Sequence, residues 1–154
     1  MQRSDFKYLA ALLAGLAAVT SHSDEVANVL EIPFLQVTSG LPACPQIDRP
    51  QLSRGETLAE SHYRVERGTS CYQSGRCRLP NSYLYDKEII PRVRKAILAD
   101  GRFDDTSIWV EGQRRWVWLK GCVASAAQSA LIEQLVRDID DVEAVVNELT
   151  YTNH

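Results

Sequence analysis

Four cysteines, three histidines and three tryptophans are the side chains with the most chemistry to offer here, and their spacing narrows what that chemistry is. Cys44, Cys71, Cys77 and Cys122 contain no C-x-x-C pair, and His22, His62 and His154 are scattered. Neither a zinc site nor a thioredoxin-like redox centre is indicated, so no metal is expected. An even number of cysteines suits two disulfides in an oxidising compartment, with three connectivities open. Cys71 and Cys77 flank the polar loop 72–76, whose closure costs little entropy; that pairing leaves Cys44 to reach Cys122.

Other reactive types lack partners. Ser61 and His62 are adjacent on a helical pattern, so they project in different directions, and no acid is positioned to complete a triad. Asp138, Asp140 and Asp141 fall at a helix end and a turn, where carboxylates are ordinarily solvated. There is no paired-carboxylate pattern, phosphate-binding loop or nucleophile elbow. The reading is a protein that is not an enzyme and needs no cofactor.

The indoles belong to a strand pair. In Trp116 to Val123, Val117, Leu119 and Val123 alternate with Trp116, Trp118, Lys120 and Cys122, giving one core face and one outer face. Gly121 falls in the core-facing series, where a missing Cβ lets another backbone or a helix come close, or lets the strand bend. Ile108 and Val110 supply a preceding strand, and the loop Glu111 to Arg115 returns it as an antiparallel hairpin. Trp109 then joins Trp116 and Trp118 on the outer face. Three readings of that face stay open: indoles at lipid headgroup depth, an anchor for a protein partner, or a surface covered by the chain's own N-terminal part. In the last case Cys44 and Cys122 tie the cover down.

Helices must back the hairpin. Asp86 is placed to cap a helix to about Asp100 with the buried stripe Ile90, Val93 and Ile97. Pro91 implies a late start or a distorted first turn. Ser125 with Gln128 makes a capping box for a helix to about Asp138, its apolar face being Ala127, Leu131 and Leu135, widened by Ala130 and Ile132. Val142 to Leu149 reads as a final strand. Upstream, Ser53 with Glu56 caps a helix at about 54–67, on which Leu58, His62 and Val65 share a face. Four prolines between 24 and 50 allow only short elements there, among them a short strand at Ile32 to Val37 lying on the folded domain.

The first 23 residues have the pattern of a secretory signal: Arg3 and Lys7, the apolar run Tyr8 to Val19, then Thr20, Ser21 and Ser23. The expected organisation is signal peptide 1–23, cysteine-containing extension 24–82 and a compact domain 83–150. Net charge is −3, which argues against a general nucleic-acid binder. The charge is uneven: residues 49 to 120 carry 14 Lys/Arg and nine Asp/Glu, whereas 121 to 154 carry one Arg and six acids. A basic middle suits an anionic surface.

The order helix, strand, strand, helix, strand, with its marker residues, resembles the BON domain of bacterial envelope proteins. The resemblance rests on Asp86, Ile90, Val93 and Ile97, then Ile108-x-Val110 and Val117-x-Leu119-x-Gly121-x-Val123. Leu131, Leu135 and Val142-x-x-Val145-x-Asn147-x-Leu149 complete it. Where the family usually has glycine before the last strand this chain has Asp141, a residue that tolerates left-handed geometry. The resemblance implies an α+β fold, αββαβ, with a three-stranded mixed sheet and two helices on one face. A disulfide-linked extension with one helix is added to it.

The resemblance also implies a non-catalytic periplasmic role: association with phospholipid, envelope integrity or osmotic protection, or accessory work beside an envelope or secretion complex. The lipid contact it implies lies on the first helix, at Lys87, Arg92, Arg94 and Lys95; Arg114 and Arg115 at the hairpin tip are further candidates. Membrane phospholipid or an envelope protein is the expected partner.

Overall fold

The alternation in Trp116 to Val123 is realised as a central strand. In the computed structural model, which describes residues 32–49 and 51–151, every second residue of this strand is buried and the others are half-buried. In chain order the elements are β1 (Phe34–Gln36), α1 (Arg54–Gly68), α2 (Ser70–Gln73), a 3-10 turn (Ser82–Tyr85), α3 (Asp86–Asp100), β2 (Ser107–Gln113), β3 (Trp116–Val123), α4 (Ala126–Arg137) and β4 (Ala144–Tyr151). The signal-like segment lies outside the described residues.

β2 and β3 pair antiparallel, with Val110 opposite Leu119, and β4 runs parallel to β3, with Val145 beside Val117. The expectation of three strands is corrected to four, in the order β1-β2-β3-β4. The added strand comes from the extension: Leu35 sits opposite Val110, Gly112 N–H donates to Pro33 O at 2.9 Å, and Val37 N–H donates to Ile108 O at 2.7 Å. The physical reason is the edge of β2, whose N–H and C=O groups need a partner. Leu35 and Val37 then pack on the main core.

That core lies under α3 and α4. Ile89, Ile90, Val93 and Ile97 of α3 meet Ile108, Val110, Val117 and Leu119 of the sheet, with Ile132 and Val136 of α4. α3 runs unbroken through Pro91, which is exposed, and the 3-10 turn leads into its first residue, so the helix does not start late. The close approach of a helix occurs at Gly112, where a Cβ would lie 2.6 Å from Ile90 Cγ1. At Gly121, with φ +114°, it is the neighbouring strand that comes close: a Cβ there would lie 2.1 Å from Ser107 O.

Two helix faces differ from expectation. On α4 the buried residues are Ser129, Ile132 and Val136, while Leu131 is 45% exposed. Asn147 of β4 donates to Ser129 Oγ at 2.9 Å and to Glu133 Oε2 at 3.0 Å, so a polar pair turns the helix away from its most apolar stripe. Ser125 caps Gln128 N–H, but the Gln128 side chain accepts from Ala124 N–H instead of closing the box. On α1 the capping box of Ser53 and Glu56 forms. Its Leu58–Val65 face, however, is open, at 61% and 63% exposure, and the helix packs instead through Arg64 and Gly68. Arg64 lies over the Tyr83 ring and bonds Glu60 at 3.0 Å. Asn81 Nδ2 donates to its carbonyl at 3.0 Å.

Both expected disulfides are present, Cys44–Cys122 and Cys71–Cys77.

Candidate functional site

The hairpin tip gathers the unusual features of the molecule. β2 extends to Gln113, so the loop is only Arg114 and Arg115, both left-handed at φ 57° and 70°. Two-residue hairpins favour Asn-Gly in this geometry, and non-glycine residues are costly there. Asp86 compensates. One carboxylate oxygen accepts from Arg114 N–H at 2.7 Å and the other from Arg115 N–H at 2.8 Å. The expected helix cap is therefore a cap on a turn 28 residues downstream.

Asp86 is 3% exposed. Burial pushes its pKa up to about 6, against the opposing pull of the Arg115 and Arg114 N–H groups and of the Arg64 charge.

Around this turn the candidate cations divide into two sets. Arg115 is committed to structure: it donates to Asp141 O at 2.9 Å and to Cys77 Sγ at 3.3 Å, and lies over the Tyr85 ring. Arg92 pairs with Asp141 at 3.0 Å, as does Arg78 at 3.2 Å. Burial works against the charge on Asp141, but Arg92 and Arg78 outweigh it and hold the carboxyl below its ordinary range. Asp141 has φ 72°, the left-handed geometry expected of it. Lys87, Arg94 and Lys95, by contrast, are exposed on α3 with no ion pair among the described residues. Lys87 borders a shallow groove of about 350 Å³ shared with Phe34, Leu35, Arg49 and Pro91.

The three indoles also part company. Trp109 is 3% exposed, beside the place where the extension is fastened: Leu41 exchanges two hydrogen bonds of 3.0 Å with the Ser107 side chain, and Cys44 is bonded to Cys122. Over Trp116 and Trp118 the cover is incomplete: both are half-buried, with ring centroids 6.0 Å apart and a tilt of 32°. The element above them is α1, and it leaves a cleft of about 170 Å³ lined by Tyr63, Arg67, Tyr83, Gln113, Arg114 and the two indoles. Arg114 lies over the Trp116 ring at 5.6 Å and Arg67 over the Tyr63 ring at 3.8 Å.

Tyr63, Arg67, Tyr83 and Gln113 carry no signal of their own in the sequence. The i,i+4 spacing of Tyr63 and Arg67 is the one hint, obscured by a competing stripe of Leu58 and Val65. Among the described residues no cluster of three or more His, Cys, Asp or Glu is placed to hold a metal. Nor is any of their helices long and apolar enough to cross a membrane.

Residues 85–153 match the family model described as the BON domain. No match was found among curated proteins.

Proposed function

With residues 85–153 forming a BON domain, we propose that the protein is a non-catalytic, exported envelope protein that associates peripherally with anionic phospholipid. Envelope integrity or protection under osmotic stress is the process it would serve. The observation that carries this reading is the set of cations without acid partners, Lys87, Arg94 and Lys95 on α3, on a domain whose family is associated with lipid surfaces. Each such residue near an anionic surface contributes about 1 kcal/mol, so binding is expected to be modest and salt-sensitive. The two disulfides fit a periplasmic setting.

A second reading rests on the half-buried Trp116 and Trp118. Tryptophan is favoured at interface hot spots, and these two suit an adaptor or accessory subunit of an envelope or secretion complex.

Vesicle co-sedimentation of the oxidised protein separates the two. Binding to anionic but not zwitterionic liposomes, lost at high salt, supports the lipid reading. Absence of binding at every salt concentration sinks it and favours the adaptor.

A further inference from the structure

The cleft between α1 and the hairpin has the composition of an anion site. Arg64, Arg78, Arg92, Arg102, Arg115 and Arg137 each have a carboxylate partner within ion-pair distance. Among the described residues Arg54, Arg67, Arg76, Arg94 and Arg114 do not, and of these Arg67 and Arg114 line the cleft, where their neighbours are aromatic rings. A guanidinium on an aromatic face keeps its edge donors free, and arginine is suited to binding phosphate through paired N–H groups. No acid lines the cleft. Two acids bond cleft residues from outside it: Glu60 accepts from Arg64 Nε at 3.0 Å and Gln113 Nε2 at 3.3 Å, and the buried Asp86 accepts the backbone N–H of Arg114 at 2.7 Å and of Arg115 at 2.8 Å.

The remaining walls say what the anion is attached to. Trp116 and Trp118 offer two tilted, half-exposed rings, apolar in the body and with a polar N–H edge, the type of side chain that settles at the boundary of headgroup and acyl chain. A volume of about 170 Å³ is below the roughly 300 Å³ at which pockets take drug-sized ligands, so a headgroup fits and an acyl chain does not.

We infer that this cleft seats a phosphate ester, held by Arg67 and Arg114 with its organic part on Trp116 and Trp118. The source that matches the proposed function is a phospholipid headgroup. The inference deepens that reading and places the specific contact on the sheet side opposite α3, where Lys87, Arg94 and Lys95 lie. Tyr63 and one of the two arginines, Arg67, come from α1, so the BON domain alone would lack a complete site.

The test compares two variants of the full oxidised chain, Arg67→Gln/Arg114→Gln and Lys87→Gln/Arg94→Gln/Lys95→Gln, on phosphatidylglycerol vesicles, with glycerol 3-phosphate as a soluble probe read by tryptophan fluorescence. The cleft variant is expected to lose at least tenfold in vesicle affinity together with the fluorescence response to glycerol 3-phosphate, whereas the α3 variant, which removes only the salt-sensitive attraction to the surface, weakens vesicle binding and keeps the response to glycerol 3-phosphate. Arg67→Gln alone, which leaves the hairpin turn untouched, is expected to lose about fivefold, so a folding defect at Arg114 cannot imitate the result. Wild-type affinity in the cleft variants, with loss in the α3 variant, would overturn the inference and leave the lipid function standing. If vesicles do not bind but glycerol 3-phosphate changes the fluorescence in an Arg67-dependent way, the phosphate-ester site stands, its source is soluble, and the lipid function falls. No response to either probe overturns both.

Discussion

The two sides of the sheet are closed by different means. Toward α3 and α4 the closure is apolar packing: Ile108, Val110, Val117 and Leu119 are fully buried against helix side chains. On the other side one bonded anchorage, Cys44–Cys122 with Leu41 on Ser107, lies at the end of the sheet where Trp109 is buried, and α1 hangs over Trp116 and Trp118 without sealing them. Packing closes a surface completely because every neighbour gains from the same contact. A tether closes only what lies next to it, so the far end of the outer face stays accessible.

Breaking the tether is the most severe test of that contrast. Cys44→Ala/Cys122→Ala opens a loop with a sequence separation of 78, for which chain entropy gives about 4 kcal/mol. Cys71→Ala/Cys77→Ala, with a separation of 6, is expected to cost about 2 kcal/mol. Urea unfolding of the two variants measures both, and equal losses would mean that the long bridge constrains the chain no more than the short one.

Adjacent residues on opposite faces sharpen the comparison. Leu119→Ala removes a fully buried side chain and is expected to lose about 3 kcal/mol. Trp118→Ala, half-buried above the cleft, should lose about 2 kcal/mol. Denaturation midpoints that shift alike would show the outer face to be a second core.

Asp86 tests the hairpin joining the two sides. Its folded pKa of about 6 exceeds the ordinary 3.8, so the folded state holds the proton more tightly than the unfolded chain. The stability linked to this group is full below about pH 3.8 and is lost as pH rises through about 6, by an amount approaching 3 kcal/mol. Asp141, lowered instead, acts in the opposite sense, losing its contribution as pH falls through its folded pKa. Urea midpoints from pH 4 to 7 for the wild type and Asp86→Asn should therefore converge toward pH 7 if the wild type begins the more stable. Parallel curves would contradict the shift.

What could be read from the sequence was whatever repeats locally. The Ile90, Val93 and Ile97 stripe and the β3 alternation need no distant partner to declare themselves. The left-handed Asp141 was accessible too, since it depends on one residue's backbone freedom. Apart from the Cys44–Cys122 bridge, reached by elimination among four cysteines, features with remote partners were not legible: Asp86 serves a turn 28 positions away, β1 completes an edge made by β2, and Ser129 is drawn inward by Asn147 on another element. The cleft combines both obstacles. Its indoles follow from strand parity, but Tyr63 and Arg67 reach them only because α1 packs through Arg64 and Gly68 and not through its apolar stripe.

The Cys44–Cys122 bridge also imposes an order of events on a chain that emerges from its N-terminus. Cys44 meets Cys71 and Cys77 long before Cys122 is present, and three thiols then compete for two places. The loop between Cys71 and Cys77, at a sequence separation of 6, closes more readily than a loop back to Cys44. Once these two have found each other, Cys44 is a thiol in waiting. The strand partner of β1, which is β2, and the sulfur partner of Cys44 on β3 arrive together, as the two arms of one hairpin. The last covalent step of maturation thus reports that the hairpin has formed, and a trapped Cys44 thiol would mark a molecule that has not reached it.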